Sequence, residues 1–141
     1  MHDEIITVIR LVLAGVLGGF IGFQRERIGK AAGIRTLALI AIGASLFTSL
    51  AIFSFGVTNA QLAANIVVGV GFLGAGSIIH RDQGIIEGMT TAATIWVAAA
   101  VGVATGTGRY LTAIAATVII LIVLILPHIH PDEGSVKRES S

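Results

Sequence analysis

Five stretches of this chain are apolar for long enough to cross a lipid bilayer, and that leaves few architectures open. A helical span needs about 20 uncharged, mostly apolar residues. The first stretch runs roughly from Ile5 to Phe23, with Arg10 as its single charge. The second, "IRTLALIAIGASLFTSLAIF", carries Arg35 at its edge. The others cover about Leu62 to Ile79, Met89 to Thr105 and Tyr110 to Leu126, and Pro127 closes the last. Composition agrees: 55% of residues are apolar and 12% charged, too little polar material to cover a water-soluble surface. The expected fold is an all-α integral membrane protein of about five transmembrane helices. The start, "MHDE", is not basic and no cleavage box follows, which speaks against a cleaved signal peptide.

Orientation follows from the lysines and arginines. Arg25, Arg27, Lys30, Arg35, Arg81, Lys137 and Arg138 fall on one side, and only Arg10 and Arg109 on the other. Seven against two predicts an N-terminus outside and a C-terminus in the cytoplasm. Residues 1–127 form the membrane domain in this reading. Residues 128–141, "HIHPDEGSVKRESS", form a flexible cytoplasmic tail, rich in charge and serine. His128 and His130 could hold a metal there, but a solvated pair explains them as simply. With net charge +1, nucleic acid is not an expected partner. The absence of cysteine removes disulfides and thiolate sites.

The chain repeats itself. Gly19-Phe20-Ile21-Gly22 leads to Arg25-Glu26, as Gly71-Phe72-Leu73-Gly74 leads to Arg81-Asp82. The following spans open alike, "GIRTLAL" from Gly33 and "GMTTAAT" from Gly88. Offsets run from 52 (Gly19 to Gly71) to 56 (Arg25 to Arg81). Two helix hairpins of the same orientation, related by an axis along the membrane normal, would give this pattern, with the fifth helix as a lipid-facing addition.

Glycine supplies 18 residues, close to twice the usual share. "GVGFLGAG" (Gly69 to Gly76) contains G-x-G-x-x-G, with Glu87 downstream, but a dinucleotide loop needs a strand, a turn and a soluble helix. Here the apolar sequence continues on both sides. On a helix, Gly69 and Gly76 share one face while Gly71 and Gly74 share nearly the opposite one. Small residues allow close helix approach in lipid. The third helix is therefore expected to be the central packing element, with Gly19 and Gly22 serving the first.

Polar residues in or beside the spans are the site candidates. Asn65 lies one turn before Gly69 and should face a neighbouring helix, either as a hydrogen bond or as a functional amide. Arg35 could snorkel to the boundary or pair with Glu26. Thr36, Thr90 and Thr91 stand at helix starts, whose positive ends could join Arg35 in an anion-contact patch; plain capping is the equal alternative. Trp96, in the fourth span, reads more as packing than as site. All eight carboxylates fall outside the expected spans, in what this reading takes as loops or tails, so a magnesium cage and an intramembrane proton carrier are both unsupported. No catalytic set or phosphate loop occurs, and no enzyme activity or cofactor is expected.

"FQRERIGKAAGIRTLALIAIGASLF" (Phe23 to Phe47), "GVGFLGAGSIIHR" and "GMTTAATIWVAAAVGVATGTGRY" (Gly88 to Tyr110) together resemble the membrane domain of the MgtC/SapB family, over roughly residues 5 to 126. The family's motif residues map onto Arg25, Glu26, Gly33, Arg35, Thr36, Gly71, Phe72, Gly74, Gly76, Thr90, Thr91 and Trp96. Many members carry glutamine where Asn65 stands. The resemblance implies a bacterial inner-membrane protein linked to magnesium homeostasis or stress adaptation. It would be a homo-oligomer in the bilayer that modulates other inner-membrane proteins by helix contact; the alternative is a subunit of a magnesium or other solute transporter. Virulence-associated members carry a soluble domain after the last helix, so the expectation here is a short form without it.

Overall fold

The computed structural model describes residues 1–55, 59–80 and 86–127. Five α-helices follow in order: α1 (His2–Arg27), α2 (Ile34–Leu50), α3 (Asn59–Gly76), α4 (Met89–Gly106) and α5 (Tyr110–Ile125). A π-helical turn, Ala51–Phe55, extends α2. Three helical segments, His2–Arg27, Ile34–Ser54 and Met89–Gly106, are long and apolar enough to cross a membrane, while Ala60–Gly76 and Tyr110–Ile125 are apolar but shorter. The architecture is that of an all-α membrane protein. The residues expected to form a tail, 128–141, lie outside the described residues.

Helix ends differ from the expected boundaries where local chemistry intervenes. The third span was expected to reach Ile79, but α3 stops at Gly76. There Ser77 donates both its amide and its hydroxyl to the Gly74 carbonyl, at 3.0 and 2.7 Å, and closes the last turn. A two-residue antiparallel ladder, β1 (Ile79–His80) with β2 (Ile86–Glu87), then leads into α4. Gly88 caps α4 at φ +92°, and a Cβ there would lie 2.0 Å from the Ser77 carbonyl oxygen. Only glycine fits that joint.

The centre of the fold is α2, held between α1 and α4. A Cβ on Gly18 of α1 would fall 2.6 Å from the Leu37 carbonyl oxygen, and one on Gly22 would fall 2.6 Å from the Gly33 carbonyl oxygen. From the other side, Gly102 and Gly106 of α4 come as close to the backbone carbonyls of Ala41 and Ser45. α2 answers with Ala41, Ala44, Ser45, Thr48 and Ser49, all buried. Close backbone approach of this kind supplies packing energy where lipid and side chains are equally apolar. Buried Thr48, Thr94, Thr105 and Thr117 donate their hydroxyls to carbonyls of their own helices, so these groups need no water.

The third helix is not the central packing element within the chain. A Cβ added at Gly69, Gly71 or Gly76 would meet none of the described residues within 4 Å, one at Gly74 would meet Ala92 at ordinary van der Waals distance, and one at Gly19 would only graze Ile34 at 4.0 Å. A row of glycines shows where a helix could be approached, not which neighbour arrives. The tightest helix–helix approaches are made by glycines of α1 and α4, and the helix between them meets those of α4 with alanine, serine and threonine. α5 fully buries only Ala113 and Thr117, with Ala116, Ile120 and Leu124 partly buried against the core.

Inter-helix bonds fix the relative directions. Arg25 of α1 reaches Thr91 at the start of α4, and Arg10 of α1 reaches Gly106 at its end. Glu26 meets the first residue of α2, and Arg10 stacks on Phe53 in the turn beyond it. α2 and α4 therefore run together and opposite to α1, as two hairpins of the same sense require.

Candidate functional site

The last turn of α1 and the first turns of α2 and α4 meet at one end of the core, and most of the sequence-derived candidates gather there. Arg25 falls on the stripe that α1 buries, after Ala14, Leu17, Gly18, Ile21 and Gly22. It is 2% exposed. Its Nη2 donates to Thr91 Oγ1 at 2.5 Å, while its Nε is buried without a partner. Among the described residues no carboxylate pairs with it.

Glu26, the next residue, turns the other way. Its Oε2 accepts the Ile34 amide at 3.0 Å and so caps α2, whose N-cap residue, Gly33, has no side chain to do this. A carboxylate at a helix N-terminus gains both a hydrogen bond and a favourable dipole interaction. Gly33 leaves room for this approach, because a Cβ there would lie 2.7 Å from the same carboxylate oxygen and would push the Glu26 side chain aside. The adjacent Arg25 and Glu26 thus tie one helix end to two others.

Arg35 and Thr36 are exposed on the first turn of α2, and Thr90 is exposed on the first turn of α4. Arg35 forms no pair with Glu26, because that carboxylate is engaged by the backbone of α2. Of the expected anion-contact patch, only Thr91 is drawn into the interior. Asn65 also departs from expectation. It is exposed on α3 and makes no side-chain hydrogen bond to the described residues, and a Cβ at Gly69, one turn on, would meet none of them within 4 Å. Trp96 is 48% exposed and lines an apolar cavity of about 200 Å³ between α3 and α4, with Ile66, Val70, Ala99 and Val103. That environment fits packing rather than chemistry.

Arg10 was not among the sequence-derived candidates, yet it is the most connected side chain of the opposite end. Its Nη1 donates to the Gly106 carbonyl at 2.7 Å and its Nε to the Tyr110 hydroxyl at 3.3 Å, and its guanidinium lies 5.1 Å from the Phe53 ring centroid. Its being the only charge inside the first apolar stretch was the available signal. Gln24 was missed too; its Nε2 donates to the Leu124 carbonyl at 3.3 Å and holds the end of α5.

The sequence pattern of the MgtC family matches residues 11–130. The chain belongs to the MgtC family. It is 43% identical over 130 residues to the protein named "Putative magnesium transporter YhiD" of Escherichia coli K12, covering 86% of this chain and 60% of that one. It is 42% identical over 119 residues to Protein MgtC of Salmonella typhimurium, covering 84% of this chain and 51% of that one. A Haemophilus influenzae protein is 38% identical over 130 residues, covering 85% of this chain and 55% of that one. The chain thus spans half to three-fifths of the length of the curated relatives it matches. No solved structure matches it.

Proposed function

We propose that this MgtC-family chain is a non-enzymatic regulator in the bacterial inner membrane, linked to magnesium homeostasis or stress adaptation. It acts by helix contact, assembling with itself and modulating other membrane proteins, with its N-terminus outside and its Arg25 end in the cytoplasm. The observation that carries this reading is the contrast between a sealed interior and an open face. α1, α2 and α4 meet at backbone distance, and the cavity beside Trp96 is lined by Ala63, Ile66, Val67, Val70, Ala99 and Ala100 among other apolar groups. A hydrated magnesium ion prefers oxygen ligands and retains several waters, and this lining supplies no such surface. The outward face of α3, by contrast, carries Asn65, Gly69 and Gly76, which are exposed among the described residues. An amide facing hydrocarbon gains from a partner, and glycine lets a second helix come close enough to supply it.

The name of the Escherichia coli relative keeps transport as the competing reading. A flux assay separates the two. Purified chain in proteoliposomes should pass no more magnesium than empty vesicles, and crosslinking in native membranes should recover a specific membrane protein beside the chain itself. Magnesium entry that is lost in Asn65→Ala or Arg35→Ala would overturn the regulator in favour of a transporter.

A further inference from the structure

Among the described residues, the Arg25 end of the core gathers Arg25, Arg27, Lys30 and Arg35 against the carboxylates of Glu26 and Glu87. We infer that Arg25, Thr91 and the first turn of α4 form a binding site for a small oxyanion of the phosphate class, either free phosphate or the headgroup of an anionic phospholipid. This is independent of the regulator reading, which could fail while the site stands.

Three observations carry it. First, the Arg25 side chain is nearly inaccessible, yet its Nε has no hydrogen-bond partner, and among the described residues it forms no ion pair. A buried donor left unmade is costly, and a buried charge left unpaired more so. Second, the guanidinium is directed at the N-terminal turn of α4 through Thr91, where the helix presents its positive end. The first-turn amides of Met89, Thr90 and Thr91 have no intrahelical acceptor, and Gly88 supplies no capping side chain. A full positive charge and the partial positive charge of a helix end converge there, an arrangement that an anion relieves.

Third, Thr91 is unlike the other buried threonines. Thr48, Thr94, Thr105 and Thr117 donate their hydroxyls to carbonyls. Thr91 only accepts, from Arg25, and its own proton remains to be given. A guanidinium nitrogen, a hydroxyl and helix amides together match an oxyanion with several acceptor oxygens. Phosphate is preferred over a single carboxylate because Arg27, Lys30 and Arg35 add exposed charge at the same end of the helices. That end lies at the boundary of the α1 span, the level at which lipid headgroups sit.

The test uses the full chain purified in phospholipid-free detergent, read by calorimetric titration and by the thermal unfolding midpoint. One arm adds inorganic phosphate; the other adds phosphatidylglycerol against phosphatidylcholine in mixed micelles. Saturable binding in either arm supports the site, and the arm that responds identifies the source. Thr91→Val, which keeps shape and removes the hydroxyl, should weaken binding about tenfold. Arg25→Gln should weaken it further, and Arg109→Gln at the opposite end should leave it unchanged. If Arg25→Gln does not fold, Thr91→Val decides alone. Absence of binding in both arms, or wild-type affinity in Thr91→Val, overturns the proposal.

Discussion

Two arginines on one helix meet opposite electrical environments. Arg10 sits where α2 and α4 end, and it donates to the Gly106 carbonyl of the last turn of α4, which also accepts from Ser49 Oγ. A cation belongs at that negative end, and the Tyr110 hydroxyl and Phe53 ring complete its surroundings. Arg25 sits where α2 and α4 begin. It has one hydroxyl partner and a stranded Nε, and it faces the positive end of α4. The last turn of α1 itself favours a cation, so part of the mismatch is offset locally. What remains separates a clamp, whose contacts are complete, from a group whose contacts are not.

Substitutions at the two ends should sharpen that difference. The largest effect is expected at the glycine joints. Gly88→Ala meets backbone at the Arg25 end and should destabilise by on the order of 3 kcal/mol in reversible detergent unfolding. Gly108 is the corresponding joint at the Arg10 end, at φ +79°, but its added Cβ would meet the far end of the Arg10 side chain at 2.9 Å. Because that side chain can give way, Gly108→Ala should cost about 1 kcal/mol. Equal losses at the two joints would show that conformational strain, not collision, dominates both.

Next comes the arginine pair itself. Arg10→Gln should cost roughly 2 kcal/mol, since a charge-assisted bond and an aromatic contact are lost together. Arg25→Gln, measured without phosphate or anionic lipid, should cost about 1 kcal/mol or less, because removing an unpaired buried charge offsets the lost bond. A reversed order would break the comparison. Glu26→Gln, which keeps an acceptor for the Ile34 amide but removes the charge, should cost about 0.5 kcal/mol and lose most of that effect in high salt. The smallest change is expected on the outer face of α3. Gly69→Leu should leave the unfolding midpoint of the monomer unmoved while weakening self-association by analytical ultracentrifugation in detergent.

Much of this architecture was legible in the residue order. Apolar runs located five helices, and Pro127, Gly33 and Gly88 marked breaks that the structure keeps. The repeat implied that α2 and α4 run together, as the bonds from Arg10 and Arg25 require. Local sequence could not reveal which helix becomes central. Glycine-rich α3 drew attention, whereas α2 is central although a Cβ at Gly43, in its body, would touch nothing. Its role depends on glycines that neighbours bring to it, and those are tertiary facts. The fate of the basic residues was equally hidden, because Arg25, Arg27 and Arg35 look alike as letters. Arg25 is distinguished only by continuing the spacing of Ala14, Gly18, Ile21 and Gly22, a stripe whose burial depends on α2 and α4 being in place.

The cavity beside Trp96 gives the molecule an intrinsic optical probe. The chain has a single tryptophan, so its whole indole emission originates at the α3–α4 seam. Brominated acyl chains that enter the seam would quench that emission, and a partner helix that closes over it would protect the fluorophore. The colour and lifetime of one residue thus report, without any label, on the boundary between the rigid three-helix centre and its loosely packed flank.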